Sequence, residues 1–223
     1  MTSWLGLSRP FTPFLTQFCE GVDSRPKAGH DAPNMAHVMK IYKKRDFPVS
    51  DIRRFLEPGP VVLVSSAHNG ERNIMTMGWH MVMEFVPSLV GCLISSGNHS
   101  YELISRSKEC VINIPTVELA PVVAKIGNCS GADVDKFAKF KLTAVAAEQV
   151  RAPLIAQCYA SLECRLVDGH LRDKYNFFIF EVVKAHAPAA PKYPKTIHYR
   201  GDGMFMVAGR SLNLRRLFRP GML

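Results

Sequence analysis

The chain has 223 residues, a formal net charge of +9, 47% hydrophobic residues and 21% charged ones. That length suits one domain able to bury a sizeable core, and the composition excludes a disordered, collagen-like or disulfide-scaffold chain. No apolar run approaches the roughly 18 residues of a membrane span, so membrane insertion is not expected.

Residues 1–54 carry 9 Lys and Arg against 5 Asp and Glu, residues 55–205 carry 15 against 14, and residues 206–223 carry 4 against none. The positive excess therefore sits in two flanks around a near-neutral middle, and no nucleic-acid-reading surface is expected. Solvated basic ends account for it, loosely drawn to anionic surfaces or, if folded back, to an anionic ligand. The six cysteines show no C-x-x-C pair and no His-bearing metal spacing. Several lie in apolar runs, as expected of small core hydrophobes in a reduced, cytoplasmic protein with no metal and no structural disulfide.

In chain order, residues 1–39 mix Pro10, Pro13, Pro26 and Pro33 with Gly21 and Gly29 and show no periodicity, which predicts an irregular arm. No function attaches to it. One domain is expected over 40–208, followed by a basic tail over 209–223. Pro60 to Ser66 is a β-branched run stopped by Asn69-Gly70, a hairpin signal. Asn73 to Phe85 reads as one long strand and Ser88 to Ser96 as its partner, apolar enough to be buried on both faces. A short helix is expected over Tyr101 to Arg106, a strand over Glu109 to Ile114, and a helix over Thr116 to Ile126 with Pro121 in its first turn. Another short helix is expected around Asp133 to Phe140. Leu154 to Val167 and Leu171 to Ala187 flank Asp168-Gly169 as two long hairpin strands, and a last strand covers Met204 to Ala208. Strands dominate and helices interrupt them, which argues for an antiparallel barrel. No G-x-G-x-x-G follows a strand, so a Rossmann fold has no support.

Three segments suit chemistry. Ser95-Ser96-Gly97-Asn98-His99-Ser100 joins a buried strand to a helix start, where free amides and hydroxyls favour a phosphate; alternatively Asn98 or Ser100 simply caps the helix. In Asn73-Ile74-Met75-Thr76-Met77-Gly78-Trp79-His80 neither alternating face is cleanly polar, and the glycine marks either a bulged strand with a core Trp79 or a flat ligand on the backbone. In Asp135-Lys136-Phe137 a lysine beside an aromatic residue fits a phosphate and a ring, or else an ion pair on an exposed helix end. His99 and His198 lie in polar contexts, but no hydrolase triad assembles around either.

Seven motifs in order carry a resemblance. They are Pro58-Gly59-Pro60-Val61-Val62-Leu63-Val64, Asn73 to Trp79, Asn98 to Ile104, Cys110 to Pro115, Gly127-Asn128-Cys129-Ser130-Gly131, Asp135-Lys136-Phe137 and His198-Tyr199-Arg200-Gly201. Together they span roughly residues 40 to 208. The chain thereby resembles the flavin reductase-like, FMN-binding split-barrel proteins, especially their flavoredoxin-type branch. The resemblance implies a mainly β (α+β) fold: a homodimeric, six-stranded antiparallel split barrel of Greek-key topology with short flanking helices, holding FMN near the subunit interface. Carried over residue by residue, it assigns Asn73, Met75 and Thr76 to the flavin ring. Ser95, Ser96, Asn98 and Ser100 fall to the ribityl and phosphate groups, Lys136 and Phe137 to a cationic and an aromatic contact, and His198, Tyr199 and Arg200 to the nicotinamide nucleotide. Related reductases often have Arg where Lys136 stands, which points to a point-charge contact in place of a bidentate grip.

The implied activity is an NAD(P)H-dependent flavin reductase that passes hydride from NADH or NADPH to FMN. Reduced flavin then serves a partner oxygenase or another acceptor. The flavin supplies the redox chemistry, so no catalytic acid, base or metal is assigned. The competing expectation is a flavoredoxin-type electron carrier with tightly bound FMN and little NAD(P)H oxidation.

Overall fold

Alternating apolar runs with glycine and asparagine turns build a sheet in the computed structural model, which describes residues 40–52 and 59–219. The predicted arm over 1–39 and the last four residues of the tail lie outside these. The strands are β1 (Arg45–Phe47), β2 (Val62–His68), β3 (Glu71–Met77), β4 (His80–Glu84), β5 (Leu89–Leu93), β6 (Glu109–Ile114), β7 (Ala144–Val145), β8 (Leu154–Ile155), β9 (Ala160–Asp168), β10 (Phe177–Ala187), β11 (Ile197–Gly201) and β12 (Met204–Val207). The helices are α1 (His99–Ser107), α2 (Ala120–Gly127), α3 (Lys136–Lys139) and α4 (Arg172–Tyr175).

The main sheet runs β3-β2-β6-β9-β10-β5-β4, with β1 on the far end of β10, and every pairing in it is antiparallel. Its first and last strands are the two halves of the run expected as one long strand, separated only by Gly78 and Trp79. A sheet whose two edges belong to one continuous segment must be rolled. Counting that broken strand once leaves six strands around the roll, in keeping with the mainly β, split-barrel expectation. The break falls where β3 has packed both faces: Met75 and Met77 join the barrel interior with Val62, Val64, Ile112 and Phe180, while Ile74 joins a second apolar layer with Leu63, Val123, Ile126 and Phe137.

The Asn69-Gly70 hairpin forms with both residues at positive φ (49° and 82°), the type I′ geometry that suits a two-residue turn. The expected helices form as well, and the one near Thr116 opens as a 3₁₀ turn, Val117–Leu119, before Pro121 enters the first turn of α2. Two expectations are corrected. The turn at Asp168-Gly169 is longer than two residues, because the chain makes a helical turn as α4 before Asn176, at φ 57°, leads into β10. The run from Leu154 is interrupted after Ile155, whose amide is drawn to the Asn113 side chain instead of a ladder. The last strand, β12, pairs with β11 in a separate ribbon, and β11 went unforeseen.

Two buried polar side chains hold the back of the barrel. Asn113 accepts from Ile155 N at 3.0 Å and Ser161 Oγ at 2.8 Å, while its Nδ2 donates toward Leu63 O, Ser65 Oγ and Val111 O. Glu163 accepts from the amides of Glu148, Gln149 and Val150 and from His186 Nε2 at 2.6 Å. Burial works to raise the Glu163 pKa, but these amide and imidazole donors outweigh it and hold the carboxyl below its ordinary range.

Candidate functional site along the open edge of β3

β3 pairs only with β2, so its other edge carries no ladder. In a two-residue hairpin the closing pair, His68 and Glu71, exchanges both hydrogen bonds, and the alternation from there turns the backbone groups of Arg72, Ile74 and Thr76 toward that edge. Asn73 is 2% exposed. Its Nδ2 donates to Ser100 Oγ at 2.9 Å, and Ser100 in turn lies 3.2 Å from Ser66 Oγ. Its Oδ1 is buried with no partner. A Cβ on Gly131 would lie 2.0 Å from that oxygen, so only glycine fits above it. Thr76 donates to Val123 O at 2.8 Å, and Met75 faces the barrel interior.

The segment before α1 lies open. Ser95, Ser96 and Gly97 are exposed, and Asn98 and His99 are half-buried. Asn98 makes no side-chain cap, and its Nδ2 donates back to Ser95 O, so the first-turn amides of α1 are not taken by a cap. Ser100 is no cap either, being buried beneath Asn73. The simple capping alternative is therefore not what forms. Asn176 braces this segment, accepting from Ser96 N through its side chain and from Ile94 N through its carbonyl.

Across the edge, Asp135 caps α3 by accepting from Phe137 N and Ala138 N and also pairs with Arg72 at 3.1 Å. The Arg72 guanidinium lies 4.6 Å over the buried Phe137 ring. Lys136 is buried, its pKa lowered by that burial, and it donates to Ile126 O at 3.1 Å, anchoring the end of α2 and the glycine loop. An exposed Asp–Lys pair does not form. Asn73, Thr76, Ser100, Lys136 and Phe137 thus meet on or beneath one strand, with Ser95, Ser96 and Asn98 at the helix start beside it.

Residues 53–205 match the flavin reductase like domain. The chain belongs to the flavin reductase-like family. It is similar to YddH of Escherichia coli, 31% identical over 171 residues, covering 70% of this chain and 90% of that one. Among solved structures it is similar to the FMN-binding domain of a flavin reductases-like enzyme from Shewanella baltica (26% identity, TM-score 0.72, covering 78% of this chain and 98% of that one). It also shares its fold with the flavoredoxin of Desulfovibrio vulgaris (22% identity, TM-score 0.64, covering 70% and 89%).

In this flavin reductase-like chain the ribbon of β11 and β12 stands apart from the β3 cluster, joined to the barrel by Val61 N donating to Ile197 O at 2.8 Å. Both ring nitrogens of His198 are engaged, Nδ1 with Gly59 O at 3.1 Å and Nε2 with Thr196 Oγ1 at 2.9 Å. Tyr199 is exposed and packs on Phe205, and the Arg200 guanidinium rests on Met206 Sδ. Trp79 is 73% exposed, so the bulged-strand alternative with a core tryptophan is corrected. His80 donates from Nε2 to Pro60 O at 2.7 Å, and burial lowers its pKa, leaving a neutral ring whose buried Nδ1 has no partner. Residue-by-residue reading missed Arg72, Gly131, Asn176 and His80. Gly131 lay inside a quoted motif and Arg72 adjoined one; nothing local marked Asn176.

Proposed function

We propose that this chain is an FMN-binding oxidoreductase, a cytoplasmic homodimer, that takes hydride from NADH or NADPH and passes electrons to an oxygenase or another acceptor. In this reading residues 40–208 are the flavin domain, residues 1–39 an appended arm and residues 209–223 a basic tail. The observation that carries it is the Asn73 Oδ1, buried without a donor beneath an open strand edge. Such an atom costs about 1–3 kcal/mol, and a ligand N–H relieves it. A planar, N–H-bearing ring with an anionic tail fits this edge, because the uncapped helix start lies beside it.

FMN, when bound, supplies the two-electron chemistry. The chain's own groups bind and orient. Asn73 and the outward amides of β3 at Arg72, Ile74 and Thr76 meet the polar rim of the ring. Ser95, Ser96 and Asn98, with the first-turn amides of α1, receive the phosphate. Ser100, Met75 and Phe137 act from beneath: Ser100 orients Asn73, Met75 and Phe137 fix the two packed layers under the strand, and Lys136 adds its charge while anchoring the glycine loop. Tyr199 and Arg200 offer a ring and a cation to the nicotinamide nucleotide, with His198 holding the ribbon in place. The outward apolar residues of β4, Trp79, Met81 and Met83, support the homodimer, because such a face on an edge strand is normally covered.

One observation favours the carrier reading instead. His198 has no ring nitrogen left to offer a nicotinamide. Purified protein is expected to show a flavin absorbance spectrum, with FMN titrating to one site per chain. Anaerobic stopped-flow bleaching of bound FMN by NADH or NADPH supports the reductase, and bleaching only by a reduced protein partner supports the carrier. A colourless protein that takes up no FMN in titration would sink both.

A further inference from the structure

Two exposed apolar surfaces of this chain are left uncovered by the chain itself. The first is the outer side of β4, where Trp79, Met81 (55% exposed) and Met83 border an open groove of about 540 Å³ that ends at Gly59 and His80. Glu84 is the one carboxylate lining it, and the orphaned His80 Nδ1 is an acceptor awaiting a donor. The second is the segment after β12. It runs without helix or strand except for one 3₁₀ turn, Arg215–Leu217, and presents Leu212 (75% exposed), Leu214, Leu217 (79% exposed) and Phe218. Arg210, Arg215, Arg216 and Arg219 are its only charged residues.

The two surfaces are complementary. One is concave, apolar and supplied with acceptors; the other is extended, apolar and supplied only with cationic donors. Both stay exposed within one chain, so they do not cover each other there. A second copy satisfies both at once, because around a two-fold axis each arm meets the other copy's groove. We propose that residues 209–219 of a second copy seat in the β4 groove, leucine and phenylalanine side chains on Met81 and Met83, and arginine at Glu84 and His80 Nδ1. This rests on the homodimer reading above. It also gives the groove a role in the site. Gly59 O is bonded to His198, so the incoming arm brings arginines to the ribbon assigned to the anionic nicotinamide nucleotide, and that site is incomplete in a lone copy.

The test uses the full chain. Copies grown with photoreactive leucine are mixed with isotope-labelled copies, irradiated and digested. Peptides joining residues 209–219 of one isotopic form to residues 79–85 of the other are expected. In light scattering, Met83→Arg and Leu217→Glu, each checked for an unchanged melting temperature, are expected to weaken the dimer at least about tenfold, with partial recovery in the double variant. A monomeric wild-type chain overturns the homodimer and the arm together. A dimer whose joined peptides stay within one copy, or one insensitive to Leu217→Glu, overturns the arm alone. The same holds if Leu217→Glu abolishes binding to vesicles of anionic lipid and leaves the dimer intact, which reassigns the segment to a membrane surface.

Discussion

Two buried asparagines flank β2 and have opposite fates. Asn113, across from Leu63, has its oxygen and its amide nitrogen fully engaged by neighbours from β2, β6, β8 and β9. Asn73, across from Ser66 on the other side, is almost as buried, yet its oxygen meets only the bare Cα of Gly131. Polar burial alone therefore does not mark a site. The unmet acceptor does, because a fold that needed Asn73 only for packing gains nothing from leaving its oxygen dry.

The largest effect is expected at the satisfied residue. Asn113→Ala strands the Ile155 amide and the Ser161 hydroxyl in the core and should lower stability by about 3 kcal/mol, read from urea denaturation. An unchanged midpoint would break the comparison at its structural end. Glu163→Gln extends the same end to pH. The native Glu163 pKa is depressed, so its contribution is present above the unfolded carboxyl pKa and lost as pH falls through the folded value. The wild-type urea midpoint should drop on acidification through that window, and Glu163→Gln should be less stable at pH 7 by about 3 kcal/mol with a flatter acid limb.

The effects at the β3 edge should appear in ligand affinity. Asn73→Ala removes an unmet oxygen and one hydrogen bond, so its stability cost should stay near about 1 kcal/mol while FMN affinity falls about tenfold in titration. Equal affinity for FMN would remove Asn73 from the site. Lys136→Ala releases the end of α2 and removes a buried charge, and should weaken FMN by roughly 1–2 kcal/mol. His198→Ala is expected to be smallest for FMN, leaving its affinity unchanged while raising the KM for the nicotinamide nucleotide; loss of flavin would show that the ribbon belongs to the flavin site.

Much of the architecture was legible because it is local. Asn69-Gly70 can hardly be read as anything but a tight hairpin, Pro121 suits only a first helical turn, and the runs around Val62 and Val90 have the unbroken apolar character of strands buried on both faces. Where contacts are distant, legibility ended. Nothing near Gly78 says that the halves of one run lie at opposite ends of the sheet, and a dipeptide such as Asp168-Gly169 signals a turn whether or not a helical turn follows.

The sequence by itself determined the strand-rich class, the hairpin, the helix starts and, through motifs in order, the family with its candidate residues. Only the tertiary structure decided which of those residues are free to act. Ser100 and Lys136 look alike in sequence to open ligands, but partners 27 and 10 residues away along the chain already hold them. The Asn73 oxygen is left over because Gly131 arrives above it without a side chain. Hydrogen-bond satisfaction is a property of the packed neighbourhood, and residue type and spacing do not encode it.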